Sequence, residues 1–218
     1  VPGMLGYNES VTDFYKYDPE AAKKLLAEAG FANGFDTEIW YMPVSRPYYP
    51  EPKKIAEAFA ADLAKVGIRA QLKTEDWTPY RKNARENKYA MWLLGWTGDN
   101  GDPDNFLWVF FKPKTVDGKD TPIEGGAWSN PKAWELLRQA QSESDTNKRG
   151  DLYKQVSKIV QDEVVRVPTF HANPPTGVSK KVQNFIPHPT GGEEFTRVAL
   201  KKGSQVMGAA RPPSPSTP

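Results

Sequence analysis

Residues 36–42 (DTEIWYM) and 89–96 (YAMWLLGW) bound the stretch of sequence that decides the fold. The first mixes β-branched and aromatic residues and the second is an apolar run, so both are typical of strands. Between them the sequence predicts a helix from Glu51 to Val66, a strand from Ile68 to Lys73 and a helix from Thr78 to Asn87. This order predicts an α/β layer with parallel strands and right-handed crossovers.

Further elements are predicted on both sides of this stretch. A helix from Asp18 to Gly30 has a capping aspartate, a proline at its first position and a glycine at its end. Two more helices, at 130–144 and 146–163, have the apolar spacing of a helical hairpin. Strands are predicted at 164–171 and 195–200, and the prolines between them interrupt regular pairing.

The composition excludes several classes of function. The 218 residues include 29 Lys and Arg against 27 Asp and Glu, and the basic residues are scattered, so no nucleic acid partner is expected. There is no cysteine, which excludes disulfides and thiol chemistry, and no cofactor is predicted. No apolar run is as long as a spanning helix, and Val1 does not open a signal segment, so we expect a processed or truncated start.

The densest cluster of polar residues is WTGDNGDPDNF at 96–106, directly after the last predicted strand of the layer. It contains Asp99, Asp102 and Asp104, and one of these carboxylates is a candidate to accept an ammonium group of a ligand. The same composition is also typical of an ordinary Asp/Asn/Gly turn. A calcium site is disfavoured because the carboxylates do not alternate as in an EF-hand, and nothing selects a glycosidase pair.

A second candidate loop is MPVSRPYYPEP at 42–52, in which Arg46 lies among prolines. A guanidinium on a stiff loop loses little freedom on binding, and its planar fork matches a carboxylate with two parallel hydrogen bonds. The alternative is an arginine that stacks on Tyr48 or Tyr49 at the surface.

The two loops are most informative together. If they leave the sheet at the same edge, Arg46 and Asp99 present opposite charges to one cleft, and Trp96, Tyr48 and Tyr49 form its walls. Such a cleft is a receptor for a zwitterion. The sequence lacks nucleophile-elbow, zinc-protease and phosphate-loop motifs, so the chain is predicted not to be an enzyme and not to hold a metal.

Four segments resemble the peptide-binding proteins of ABC importers, the dipeptide-binding members above all: YDPEAAKKLLAEAGF (17–31), MPVSRPYYPEP (42–52), AKVGI (64–68) and GWTGDNGDPDNF (95–106). The resemblance spans about Tyr17 to Lys202. It implies an α/β fold, one lobe of a two-lobed type II periplasmic binding protein, with a mixed sheet flanked by helices. The implied function is binding of di- or oligopeptides for delivery to an ABC transporter permease, with this chain as part of the receptor.

The resemblance also assigns residues and partners. It implies that Asp99 pairs with the α-ammonium of the peptide, that Arg46 pairs with its carboxylate and that Trp96 lines the same pocket, while Gly95 offers its backbone carbonyl. The implied partners are a small peptide, permease subunits and an N-terminal lobe. The implied location is periplasmic or extracellular, with a lipid anchor as one option. Haem, a nickel chelate or an oligosaccharide are alternative cargoes within the family.

The members of this family are longer than this chain, which sets the predicted division into domains. Residues 1–173 are predicted to form the C-terminal ligand-binding lobe, and 174–202 the return segment that normally completes the N-terminal lobe. Residues 203–218, rich in Pro and Ser, are predicted to be disordered. With one lobe, a ligand stays open to water, so this chain alone is predicted to bind weakly.

Overall fold

The computed structural model describes residues 2–12, 14–171, 175–188 and 194–201. The chain divides into two compact units, Val1–Pro174 and Pro175–Pro218. All four candidate ligand-binding residues belong to the first unit. The predicted disordered tail at 203–218 lies outside the described residues.

The N-terminal half of the first unit alternates helices and strands. After a short 3-10 turn (Glu9–Val11), its elements are α1 (Pro19–Glu28), β1 (Phe35–Trp40), α2 (Pro52–Ala64), β2 (Ile68–Lys73), α3 (Trp77–Arg85) and β3 (Met91–Trp92). β1 is the central strand, and it pairs in parallel with β2 on one side and β3 on the other. The predicted parallel layer is confirmed.

Local sequence explains how these elements begin. Asp18 accepts a hydrogen bond from the amide of Ala21 at 2.9 Å, and Pro19 occupies the first turn of α1, as predicted. The turns that lead into β1 and β2 touch each other at Gly34 and Gly67. A Cβ atom at Gly34 would lie 1.8 Å from the carbonyl oxygen of Gly67, so this close approach requires glycine.

The C-terminal half of the first unit is mainly helical. It comprises α4 (Asp104–Phe111), an antiparallel hairpin of β4 (Lys114–Val116) and β5 (Lys119–Thr121), and the helices α5 (Pro131–Ser142) and α6 (Thr146–Asp162). The apolar faces of α4, α5 and α6 form one core, whose buried members are Phe111, Leu136, Leu137, Ala140, Tyr153 and Val156. The predicted helical hairpin is confirmed, whereas α4 and the β-hairpin are not anticipated by the sequence analysis.

A second core packs under the carboxyl ends of the strands and contains Met42, Tyr49, Tyr80, Ala84 and Tyr89. Tyr80 has no exposed surface. Its hydroxyl donates to the carbonyl oxygen of Leu93 at 2.6 Å, accepts from the amide of Leu93 at 3.2 Å and lies 3.1 Å from the carbonyl oxygen of Trp40. One hydroxyl from α3 therefore links the ends of β1 and β3, where the two candidate loops begin.

We expect Tyr80→Phe to lower the free energy of unfolding of this chain by about 1 to 3 kcal/mol, because it removes the hydroxyl that donates to the carbonyl oxygen of Leu93, while the Leu93 amide keeps its bond to the Trp40 carbonyl. Urea unfolding followed by circular dichroism measures the change. Tyr7→Phe removes an exposed hydroxyl contact to Thr12 and is the matched control, with an expected change below about 0.5 kcal/mol. Equal effects of the two substitutions would contradict the linking role of Tyr80.

The second unit contains one short antiparallel pair among its described residues. β6 (Val182–Gln183) pairs with β7 (Ala199–Leu200). The rings of Phe185 and Phe195 stack beside this pair with centroids 6.2 Å apart. The unit therefore has its own small ladder and its own aromatic contact.

Three predicted strands differ from the structure. Residues 164–171 are not a strand but irregular chain, since Val164 has a φ of +48° and no neighbouring strand pairs with the segment. The predicted strand at 89–96 is limited to Met91–Trp92, because only two residues of β1 lie opposite it. The predicted strand at 195–200 is limited to Ala199–Leu200. Apolar content favoured strands at these positions, but it does not provide a hydrogen-bonding partner, and Val167 and Phe195 are in fact exposed.

Candidate ligand-binding site

The register of the sheet brings the two candidate loops to one edge. Ile39 lies opposite Met91, and Trp40 lies opposite Trp92, in parallel pairing. The loop after β1 and the loop after β3 therefore leave the carboxyl ends of adjacent strands. In open α/β sheets this edge is the usual place for a ligand.

Arg46 is held by a tight turn. Its backbone amide donates to the carbonyl of Tyr49 at 3.1 Å, and the amide of Tyr49 donates back at 2.8 Å, which forms an isolated β-bridge. The Ser45 hydroxyl closes the same turn by donating to the carbonyl of Pro50 at 2.7 Å. The half-buried guanidinium of Arg46 lies over the ring of Trp77, 5.1 Å from its centroid. The backbone hydrogen bonds of this turn thus fix the Arg46 loop before any ligand binds.

The two loops meet at Gly95. A Cβ atom at this position would lie 2.2 Å from Cδ2 of Tyr48, so the tyrosine ring rests directly on the glycine backbone. Burial raises the pKa of Tyr48, and the nearby charges of Arg46 and Arg81 oppose that shift. The contact fixes the Arg46 loop against the loop that carries Asp99, and it explains why a glycine precedes Trp96.

Asn105 organises the acidic loop. Its side-chain oxygen accepts from the indole nitrogen of Trp96 at 2.8 Å and from the amide of Asp99 at 3.2 Å. Trp96 remains 41% exposed and packs edge-on against Phe110. The Asp99 carboxylate is exposed and forms no ion pair with any described residue. Asn105 therefore sets Trp96 and Asp99 in a fixed relation, with both available to a ligand.

The other two carboxylates of the loop are structural. Asp102 forms a bidentate ion pair with Arg149 of α6, at 2.6 and 2.9 Å. Arg149 also donates to the hydroxyl of Tyr153 at 2.8 Å and to the carbonyl of Ala140 at 2.9 Å. The hydrogen bonds from Arg149 hold the pKa of Asp102 below its usual value. Asp102 thus anchors the loop to the helical core. Asp99 is the exposed carboxylate of this loop.

Sequence reasoning singled out Asp99 only through the family resemblance, and it missed the structural roles of Asp102 and Asp104. The carboxylate of Asp104 accepts a hydrogen bond from the side-chain amide of Gln141 on α5 at 3.3 Å, so Asp104 also faces the helical core. No group of three or more potential metal-binding side chains occurs in the described part of the chain. The only signal of the anchor in the sequence is an arginine in α6 at a helical position compatible with burial, which is too weak to predict the pairing.

Known proteins similar to this chain identify its family. Residues 1–118 match the family described as bacterial extracellular solute-binding proteins, family 5 Middle. The chain belongs to this solute-binding family. Its fold agrees with that assignment, because the chain superposes with a TM-score of 0.76 on the dipeptide-binding protein from Pseudoalteromonas sp. SM9913 in complex with Met-Leu. That structure is 30% identical, and the match covers 92% of this chain and 39% of that chain.

Two relatives of this chain are named for the binding of different ligands. The dipeptide-binding protein of Escherichia coli K12 is 38% identical over 200 residues, which are 92% of this chain and 37% of the relative. Heme-binding protein A of Haemophilus influenzae is 37% identical over 199 residues, 91% of this chain and 36% of the relative. The chain thus spans little more than a third of the length of these relatives.

The predicted fold class, one lobe of a type II periplasmic binding protein, is confirmed by these structural similarities. Parallel and antiparallel pairing both occur among the described residues, but in separate small sheets rather than in one mixed sheet. Within the described residues, no helix has the length and apolar character needed to cross a membrane.

Proposed function

We propose that this chain is the ligand-binding C-terminal lobe of a receptor that captures di- or oligopeptides and delivers them to the permease subunits of an ABC transporter. The observation that carries the proposal is the placement of Arg46 and Asp99 on two loops that leave adjacent strand ends and touch at Gly95. Neither side chain forms an ion pair with a described residue. The receptor changes nothing in its ligand chemically.

The chemistry of a peptide's two ends fits these groups. Asp99 takes the α-ammonium and Arg46 takes the terminal carboxylate, so each charge that leaves water gains an opposite charge. Trp96 supplies an apolar wall, and the carbonyl of Gly95 accepts a hydrogen bond from the peptide backbone. Peptide side chains need no specific partner in this scheme, so one site is expected to accept many sequences.

The rest of the receptor follows from the length of the relatives. We propose that an N-terminal lobe closes over the site, and that segment 174–202 belongs to the return into that lobe. The working place of the receptor is outside the cytoplasmic membrane, in the periplasm or attached to the cell surface by a lipid. Closure matters energetically because water-exposed ion pairs contribute only about 0 to 1 kcal/mol.

Haem is the second candidate cargo, because a relative named for haem binding is nearly as similar as the dipeptide-binding one. Haem presents carboxylates but no ammonium group. It offers nothing to Asp99, whose negative charge would face the propionates. The opposite charges of Arg46 and Asp99 therefore favour a peptide.

Calorimetry on the full-length receptor tests the proposal with Ala-Ala, N-acetyl-Ala-Ala, Ala-Ala-amide and haemin. We expect saturable binding of Ala-Ala, recovery of the dipeptide intact, and a loss of about 2 to 5 kcal/mol for each blocked end, because each block leaves one charged group of the closed site without its partner. Undiminished affinity for both blocked peptides, or binding of haemin alone, would overturn the assignment.

A further inference from the structure

Two arginines share one aromatic ring beside the candidate site. The guanidinium of Arg46 lies 5.1 Å from the ring centroid of Trp77, and the guanidinium of Arg81 lies 5.7 Å from the same centroid. Trp77 and Arg81 are one turn apart on α3, whereas Arg46 comes from the loop after β1. Two elements that are separate in the sequence thus place two positive charges on one indole.

Neither of these guanidiniums has an acidic partner in the part of the chain that the structure describes. Arg69, Arg85, Arg138 and Arg149 each pair with a carboxylate within 4.0 Å. Arg46 and Arg81 form no ion pair and no side-chain hydrogen bond among the described residues. Each guanidinium carries five N–H donors, so both retain their full capacity to bind oxygen anions.

The electrostatic consequence is a local excess of positive charge. Both guanidiniums act on the hydroxyl of Tyr48, where they oppose the rise in pKa that burial causes. Two cations beside one ring repel each other, and each gains a cation–π contact with Trp77. An anion that reaches both guanidiniums would be attracted by both charges.

We propose that Arg46, Arg81 and Trp77 form a subsite for two carboxylates, so that the receptor prefers peptides whose last residue is aspartate or glutamate. This inference rests on the proposed function, in which Arg46 binds the terminal carboxylate. Arg81 then binds the side-chain carboxylate of the same residue. Because Arg81 is exposed, its contribution is modest and falls as salt is added.

The test is calorimetry on the full-length receptor at low ionic strength with Ala-Asp and its uncharged isostere Ala-Asn. Wild type is expected to bind Ala-Asp about fivefold more tightly than Ala-Asn. Arg81→Gln should abolish this preference and leave the affinity for Ala-Asn within about twofold. Lys82→Gln removes the same charge from the neighbouring position, which is not one of the cation–π partners of Trp77 among the described residues, and should retain the preference.

The outcomes separate this inference from the proposed function. If Ala-Asn binds but Ala-Asp has no advantage, or if Lys82→Gln reduces the advantage as much as Arg81→Gln, the two-carboxylate subsite is wrong while peptide binding stands. If neither dipeptide binds, both proposals are overturned. Loss of the preference in Arg81→Gln alone, with Ala-Asn affinity retained, supports the subsite.

Discussion

Asp99→Asn in the full-length receptor is expected to lower the affinity for Ala-Ala by about 2 to 5 kcal/mol, the cost of leaving the peptide ammonium, enclosed by the proposed closure of the second lobe, without its charged partner. Asparagine keeps the size of the side chain, and the amide of residue 99 keeps its bond to Asn105. The loop therefore stays in place, and the loss reports the missing negative charge. Arg46→Gln is expected to cause a similar loss at the other end of the peptide.

Combining each variant with each blocked peptide gives the decisive pattern. Asp99→Asn should become insensitive to N-acetylation and remain sensitive to C-terminal amidation, while Arg46→Gln should show the reverse, because each block and its matching variant remove the same interaction. Asp151→Asn is the control, since this exposed carboxylate pairs with Lys154 on α6, away from both candidate loops in the sequence. If both variants respond alike to both blocks, the two residues do not bind opposite ends of the ligand.

The layer that carries the site can be predicted from local sequence. The apolar spacing of α2 and the capping residues of α1 are local signals that involve residues only a few positions apart. Parallel pairing follows from the order of the elements. That pairing in turn brings the loops of Arg46 and Asp99 to one edge. This much of the site follows from the pattern alone.

The contacts that complete the site cannot be read from the sequence, because they depend on packing between distant residues. The approach of Tyr48 to Gly95, of Arg46 to Trp77 and of Asp102 to Arg149 all join separate elements. The false strand at 164–171 has the same origin. Its apolar residues are typical of a strand, but whether a strand forms is decided by the presence of a partner edge.

The anchor of the acidic loop leads to the second large effect. We expect Arg149→Met to lower the free energy of unfolding of this chain by about 2 to 4 kcal/mol, slightly less than for a fully buried pair. The side chains of Arg149 and Asp102 are 21% and 30% exposed, so the remaining carboxylate would be partly desolvated and would lose its ion-pair partner, keeping its hydrogen bond from the amide of Asp104. Urea unfolding measures the change. Arg138→Met breaks an ion pair with Asp120 that is more exposed and should cost less than about 1 kcal/mol.

The same pair predicts how stability depends on pH. Folding lowers the pKa of Asp102, chiefly through its hydrogen bonds from Arg149, so the folded state favours the charged carboxylate. The resulting stabilisation is fully present above the unfolded pKa of about 3.9 and is lost as pH falls through the lower folded value. The stability difference between wild type and Asp102→Asn should therefore shrink as pH decreases below about 4. A difference that stays constant down to pH of about 2 would show that the charge of Asp102 does not hold the loop. Asp99, on the same loop, would then be held by the bond of its amide to Asn105 and by the contact of Tyr48 with Gly95.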